Sequence, residues 1–303
     1  MFNRYIDELI KNIPKKKYNL DIIIEGGAFN GSYILGILFF LKRMEKQKLL
    51  TIRRMSGCSV GGLLCYKYLT DDLKGCLNEY HSLRKSFYKN QNFKILKMSI
   101  EKNIEKLSTR KFDKIKKDKL FLTFHNINKR VVKSEYENKE DLGKTLQKTC
   151  HLPLFTDGNC YFKDKEGFFL DGLLPHIFKD RSESFNNYIL YISPNTISRI
   201  QNMFITKNET STYGRVAVGI LDAYNFFFHK KSEMCSFVNK WSIGNFCSFR
   251  IKQLIFFLFL YIVRSINILS QKVRPYIKNS DFYNGTGDIF KMCFQDFFLK
   301  YFF

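Results

Sequence analysis

Short apolar runs and longer mixed ones take turns between residues 20 and 70. "LDIIIE" is a continuous apolar run that stops at Gly26 and Gly27, which predicts a strand buried on both faces. "GSYILGILFFLKRMEKQK", from Gly31, has helical length. "TIRRMSG" then predicts a second strand, and "CSVGGLLCYKYLT" a second helix. Strand, turn and helix repeated in this way imply parallel strands and an α/β fold with a mainly parallel central sheet flanked by helices.

The rest of the chain is more varied. Residues 1–19 read as a short helix and a basic "PKKK" cluster. Residues 71–118 are lysine-rich and helical, with an exposed stretch near "SFYKNQNFK". "KLFLTFHNI" and "KRVVKSEYE" predict a strand pair turning at Asn128 and Lys129, and "DLGKTLQKTC" a helix capped by Asp141 and ended by Pro153. "NCYFKDKEGFFLDG" predicts two short strands, and "NNYILYISP" one more, ending at Pro194. From residue 212 the pattern is helical and aromatic, closing in a Phe-rich tail. "LIFFLFLYIV", bracketed by Lys252 and Arg264, is too short to cross a bilayer as a helix. Its apolar residues face all sides, which favours a buried core helix over an interfacial one. A composition shift at 195–212 marks a boundary. The organisation read from the chain is thus an N-terminal segment (1–19), an α/β domain (20–192), and a helical, aromatic-rich C-terminal region (193–303) packed on the core or facing a membrane.

Composition narrows the class. The 303 residues, 45% hydrophobic and 17% aromatic, can fill a sizeable core. Fifty Lys and Arg against 28 Asp and Glu leave a net charge of +22, which suits an anionic partner, nucleic acid or a membrane with anionic lipids. The same excess also fits a coding sequence biased toward A and T. No RNA-recognition signature, zinc-finger spacing or basic zipper occurs, so no nucleic-acid partner is expected. The eight cysteines contain no C-x-x-C pair and read as reduced thiols of an intracellular protein. The N-terminus lacks the apolar core of a signal peptide.

Two glycine-rich turns carry the candidate chemistry. Gly57-Cys58-Ser59-Val60-Gly61 is a G-x-S-x-G sequence between a predicted strand and a predicted helix, the setting of a nucleophile elbow. Small flanking residues leave room for a sharp turn that projects the serine oxygen, and the helix N-terminus favours developing negative charge. Cys58 reads as a small buried filler. Acyl transfer also needs N–H donors for the oxyanion, and the turn at Gly26, Gly27 and Ala28 offers them at the same sheet edge. A phosphate-cradling loop is the competing reading of Gly26 to Gly31, but the Walker lysine is missing, and a dinucleotide fingerprint fails at Ala28. None of the five histidines, His81, His125, His151, His176 and His229, sits in a setting that marks a base. Asp171 does better, at the end of an apolar strand and before Gly172, although such a residue also suits an ordinary turn.

These elements, in this order, resemble the patatin-like phospholipase family, whose pattern is G-G-G-x-[RK]-G, then G-x-S-x-G, then D-G-[GA]. The matching residues here are Gly26-Gly27-Ala28-Phe29-Asn30-Gly31, the elbow around Ser59, and Asp171-Gly172-Leu173. "LGIL" after the first motif and "HLPLF" before Asp171 also match, and the resemblance covers residues 20–192. It implies a Ser59–Asp171 dyad, an oxyanion hole at Gly26, Gly27 and Ala28, and no cofactor or metal. The implied activity is hydrolysis of fatty acyl esters of phospholipids by a cytoplasmic protein, peripherally bound at an anionic membrane surface. Three departures stand out: Ala28 in place of the third glycine, Asn30 in place of a cation, and Leu173 in place of Gly or Ala. They make a catalytically silent lipid-binding protein the alternative. An α/β-hydrolase with a histidine triad through His151 or His176 is a third.

Overall fold

The computed structural model describes residues 2–90, 92–126, 129–153, 155–178, 187–196, 199, 203 and 212–277. Asn128, most of the boundary stretch at 195–212, and the Phe-rich tail lie outside these residues. An eight-stranded sheet organises the molecule, in the order β5-β6-β3-β2-β1-β7-β8 with β4 beside β3. Its centre is four parallel strands: β1 (Tyr18–Ile24), β2 (Leu50–Gly57), β3 (Lys117–Asn126) and β7 (Asn187–Ile192). Ile22, Ile23 and Ile24 of β1 are fully buried, as a strand with neighbours on both edges and layers on both faces must be. The flanks are antiparallel: β4 (Lys129–Glu135) and β6 (Gly167–Asp171) on β3, β5 (Phe162–Asp164) on β6, and β8 (Cys235–Phe237) on β7. The sheet is therefore mixed, with parallel pairing confined to its core.

The two predicted crossover helices are present as α2 (Gly31–Lys46) and α3 (Val60–Leu69), and α1 (Phe2–Lys11) precedes β1. Three further helices, α4 (Leu73–Asn90), α5 (Lys94–Glu105) and α6 (Thr109–Ile115), fill the lysine-rich stretch. Here one expectation fails. "SFYKNQNFK" is not an exposed segment: Phe87 and Phe93 are buried and pack on Phe29 at ring separations of 5.4 and 5.5 Å. Lys89, between them, faces water while the rings turn inward. In α7 (Lys139–Thr149) the cap is Asn138, not Asp141. Asn138 accepts the Asp141 N–H at 2.9 Å, and Asp141, the third residue of the helix, accepts the N–H of Glu137 before the cap at 3.1 Å.

The C-terminal helices divide. α8 (Thr212–His229) lies against α2 with the two backbones in contact. A Cβ on Gly36 would overlap the Val216 carbonyl, and one on Gly219 would overlap that of Tyr33. α9 (Ile243–Ile277) overturns the expectation of a core helix: Leu254 is 60% exposed, Phe257 72% and Tyr261 68%. An apolar run marks a helix that avoids water, and nothing within it says whether protein supplies the cover. Among the described residues no helix is long and apolar enough to cross a membrane.

The backbone contact between α2 and α8 makes a prediction. Gly219→Ala lowers unfolding free energy by about 1–3 kcal/mol. Gly214→Ala, on the same helix with open space around it, leaves it unchanged or slightly raised. Urea unfolding of both variants checks the difference.

Candidate active site

The carboxyl ends of β1 and β2 bring the two glycine-rich turns together. Ser59 sits between β2 and α3 with φ 52° and ψ −135°, the strained conformation expected of a nucleophile elbow. A Cβ built on Gly26 would lie 2.9 Å from Ser59 Cβ and 3.6 Å from its Oγ. The first turn can come this close because residue 26 has no side chain. Gly57 and Gly61 touch across the elbow, where a Cβ on Gly57 would meet the Gly61 carbonyl at 2.6 Å, and Gly31 opens α2 against Val60. The Ser59 N–H donates to the Thr149 carbonyl at 3.0 Å.

Asp171 ends β6, paired with Phe124 of β3. It is 2% exposed. Its Oδ1 accepts the Leu173 N–H at 2.7 Å, whereas Oδ2 has no hydrogen-bond partner among the described residues. Burial pushes its pKa up to about 7, opposed by the Leu173 N–H and by the nearby Ser59 hydroxyl. The Ser59 hydroxyl is therefore close enough to favour the carboxylate. Unliganded sites commonly stand this way and tighten when substrate binds. Gly172 lets the chain past: a Cβ there would overlap the Thr123 carbonyl and sit 2.8 Å from Cys58 Cβ. The Gly172 N–H reaches the Thr149 carbonyl at 3.4 Å. Arg130 donates to the Leu174 and Pro175 carbonyls at 3.2 and 2.7 Å, holding the chain after Asp171.

The first turn has its own support. Asn195 donates to the Gly26 carbonyl at 2.8 Å and accepts from Asn30 at 3.3 Å. Glu25, one residue earlier, is buried and accepts from the Tyr191 and Ser193 hydroxyls and from Lys252 at 3.3 Å. The N–H groups of Gly27 and Ala28 make no backbone hydrogen bond among the described residues, while that of Gly26 is directed at the Cys58 sulfur. Burial pushes the Cys58 thiol up, and Asp171 pushes it further, so it stays a neutral thiol, as a filler should. Asn30 is fully buried, with Arg215 donating to its Oδ1 at 3.4 Å. The guanidinium carbons of Arg199 and Arg215 lie 5.3 and 5.5 Å from the Tyr33 ring centre. Charge missing at position 30 is thus present nearby, brought by residues distant in sequence.

A cavity of about 110 Å³ opens beside Ser59. Val60, Leu63, Leu83, Phe93, Leu96 and Leu152 give it apolar walls. Ser59, just before α3, and Leu63 and Lys67 within it all line the cavity. Lys67 is paired with Asp72 at 2.6 Å and Glu79 at 2.5 Å. No histidine is among its lining residues. The His151 ring faces Phe162 at 6.1 Å, and that of His176 stacks on Phe121 at 5.9 Å. His125 Nδ1 bonds the Asp171 carbonyl, a backbone atom of the site, at 3.0 Å. Among the described residues no cluster of metal-ligating side chains occurs.

No family model and no curated protein matches this sequence. The geometry of the site bears on two of the three departures. Ala28 has φ 44° and Leu173 φ 54°. Both lie in the left-handed region, where a Cβ costs about 1–2 kcal/mol. Thr149, Asn195 and Arg215 escaped the sequence reading because each acts through partners far away in the chain.

Relief of this strain is measurable. Ala28→Gly raises unfolding free energy by about 0.5–1 kcal/mol, seen as a higher urea midpoint at unchanged slope. An unchanged midpoint would mean that the turn relaxes without a glycine.

Proposed function

We propose that the protein is a serine acyl hydrolase acting on fatty acyl esters of phospholipids, a patatin-like phospholipase using a Ser59–Asp171 dyad. The observation that carries this reading is the left-handed Ser59 beside a buried carboxyl group, one oxygen of which has no hydrogen-bond partner among the described residues. The apolar cavity supports an acyl chain as the group bound, since a mostly apolar pocket with few polar groups suits such a ligand.

In the proposed reaction, ionised Asp171 takes the Ser59 proton as Oγ attacks the ester carbonyl carbon. The N–H groups of Gly27 and Ala28, with the N-terminus of α3, stabilise the oxyanion. Collapse of the tetrahedral intermediate breaks the ester C–O bond, and the leaving alcohol takes the proton from Asp171. Water then attacks the acyl-serine, giving its proton to Asp171. Fatty acid leaves, and Ser59 regains its proton. No step calls for a metal or cofactor, and the protein works peripherally at a membrane surface inside the cell. The second reading, a silent lipid-binding protein on the same scaffold, is favoured by one observation: the strained Ala28 and Leu173, which could hold the oxyanion donors out of line.

Fatty-acid release from mixed anionic phospholipid vesicles, followed by mass spectrometry with a calcium chelator present, tests the proposal. Wild type releases fatty acid, and Ser59→Ala and Asp171→Asn lower the rate by at least about 10³-fold. Absence of release by wild type, with vesicle binding intact, selects the silent protein. Retention of activity by Asp171→Asn, with loss on changing His151 or His176, selects a histidine triad.

The pH dependence follows from Asp171. As a base it must be ionised, so kcat/KM rises as pH passes about 7 and then levels. Its folded pKa lies above the ordinary 3.8, so the folded state holds a proton that the unfolded state has lost, and stability falls as pH rises through that window. Asp171→Asn therefore raises the melting temperature most above about pH 7, and the gain shrinks toward pH 3.8.

A further inference from the structure

Among the described residues, α9 is a surface feature that the proposed reaction does not use. Ile251, Leu254, Ile255, Leu258 and Ile262 are 55–60% exposed and follow the i, i+3, i+4, i+7, i+11 spacing of one helix face. Phe257 and Tyr261, at 72% and 68%, widen that face to about half the circumference. A contiguous exposed apolar surface of this kind marks a place where water is meant to be displaced.

Charge selects what displaces it. Between Ile243 and Ile277 stand five cations, Arg250, Lys252, Arg264, Lys272 and Arg274, and no Asp or Glu. A helix with an apolar face and only basic charges fits the boundary between headgroups and acyl chains of a bilayer bearing anionic lipids. The run is too short to cross that bilayer. The near end of α9 is fastened to the candidate site. Phe249 is buried against Trp241 and Tyr191, at ring separations of 5.7 and 6.1 Å. Lys252 pairs with Glu25 at 3.3 Å, and Glu25 directly precedes the Gly26 turn. The helix therefore starts from the sheet edge that carries Ser59.

We infer that α9 is a bilayer-docking helix for anionic phospholipid surfaces, which seats the sheet edge carrying Ser59 against the lipid. The inference rests on the lipid-hydrolase reading only for its purpose, because docking itself needs no turnover.

The test uses the full chain carrying Ser59→Ala, so that a missing activity cannot be mistaken for missing binding. Flotation with vesicles of phosphatidylcholine, with and without phosphatidylserine, measures docking. The expected result is tighter binding with phosphatidylserine, weakened by salt. A Leu254→Gln/Leu258→Gln/Ile262→Gln variant loses about tenfold or more in affinity at an unchanged urea midpoint, because these side chains are exposed. An Arg264→Gln/Lys272→Gln/Arg274→Gln variant loses only the phosphatidylserine-dependent part. Equal binding by the apolar variant and its parent overturns the inference. So does a parent that is dimeric by light scattering and becomes monomeric in the apolar variant, which gives the face to a second copy. A chain ended after Ile277 that binds vesicles when the full chain does not gives it to the protein's own tail.

Discussion

One backbone carbonyl, that of Thr149 at the end of α7, joins the halves of the candidate site. It accepts the N–H of Ser59 at 3.0 Å and that of Gly172 at 3.4 Å. The Thr149 hydroxyl donates to the Thr123 carbonyl at 2.5 Å and so ties the helix end to β3. A helix leaves its last carbonyls without intrahelical partners, and here that unmet need is spent on bringing a serine and an aspartate together from opposite ends of the motif order. The same region has no room to spare, since Gly172 passes inside contact distance of Thr123 and Cys58. Position and tightness of this junction set the Ser59–Asp171 relation before any ligand arrives.

Around that junction the structure tolerates several unfavourable features at once. Ser59, Ala28 and Leu173 occupy left-handed backbone. Asp171 keeps an oxygen without a partner among the described residues, and Glu25 is a carboxylate in the core, held by Tyr191, Ser193 and Lys252. Strain and buried charge of this sort persist only where the surroundings over-determine the local conformation. The surroundings here are the four parallel strands and the backbone contact of α2 with α8, among the most buried parts of the molecule.

Much of the frame could be read from residue order. The apolar run of β1, the glycine turns and the helices after them depend on local chemistry: unbroken burial, small residues at tight turns, helical length. Ser59 and Asp171 were visible for the same reason, since an elbow and a strand-ending Asp-Gly are short-range patterns. What misled was local in appearance and long-range in cause. "SFYKNQNFK" reads as polar, yet Phe87 and Phe93 turn in to cover Phe29. Asp141 looks like a cap because it accepts a backbone N–H at the helix start, while the true cap, Asn138, stands three residues earlier. β8 has three residues, too few for any alternation to register.

The amino-acid sequence by itself determined most of the strands and helices, where the backbone must turn tightly, and which two side chains are the candidates for nucleophile and base. Those are consequences of steric and hydrophobic preferences within a few residues. Tertiary structure alone decided that Thr149 joins Ser59 to the Asp171 turn, that Asn195 braces Gly26, that Arg215 reaches Asn30, and that α9 keeps its apolar face in the open. Each of these depends on which distant segment arrives at a given place, and the surface a helix buries is a property of its neighbours as much as of its own residues.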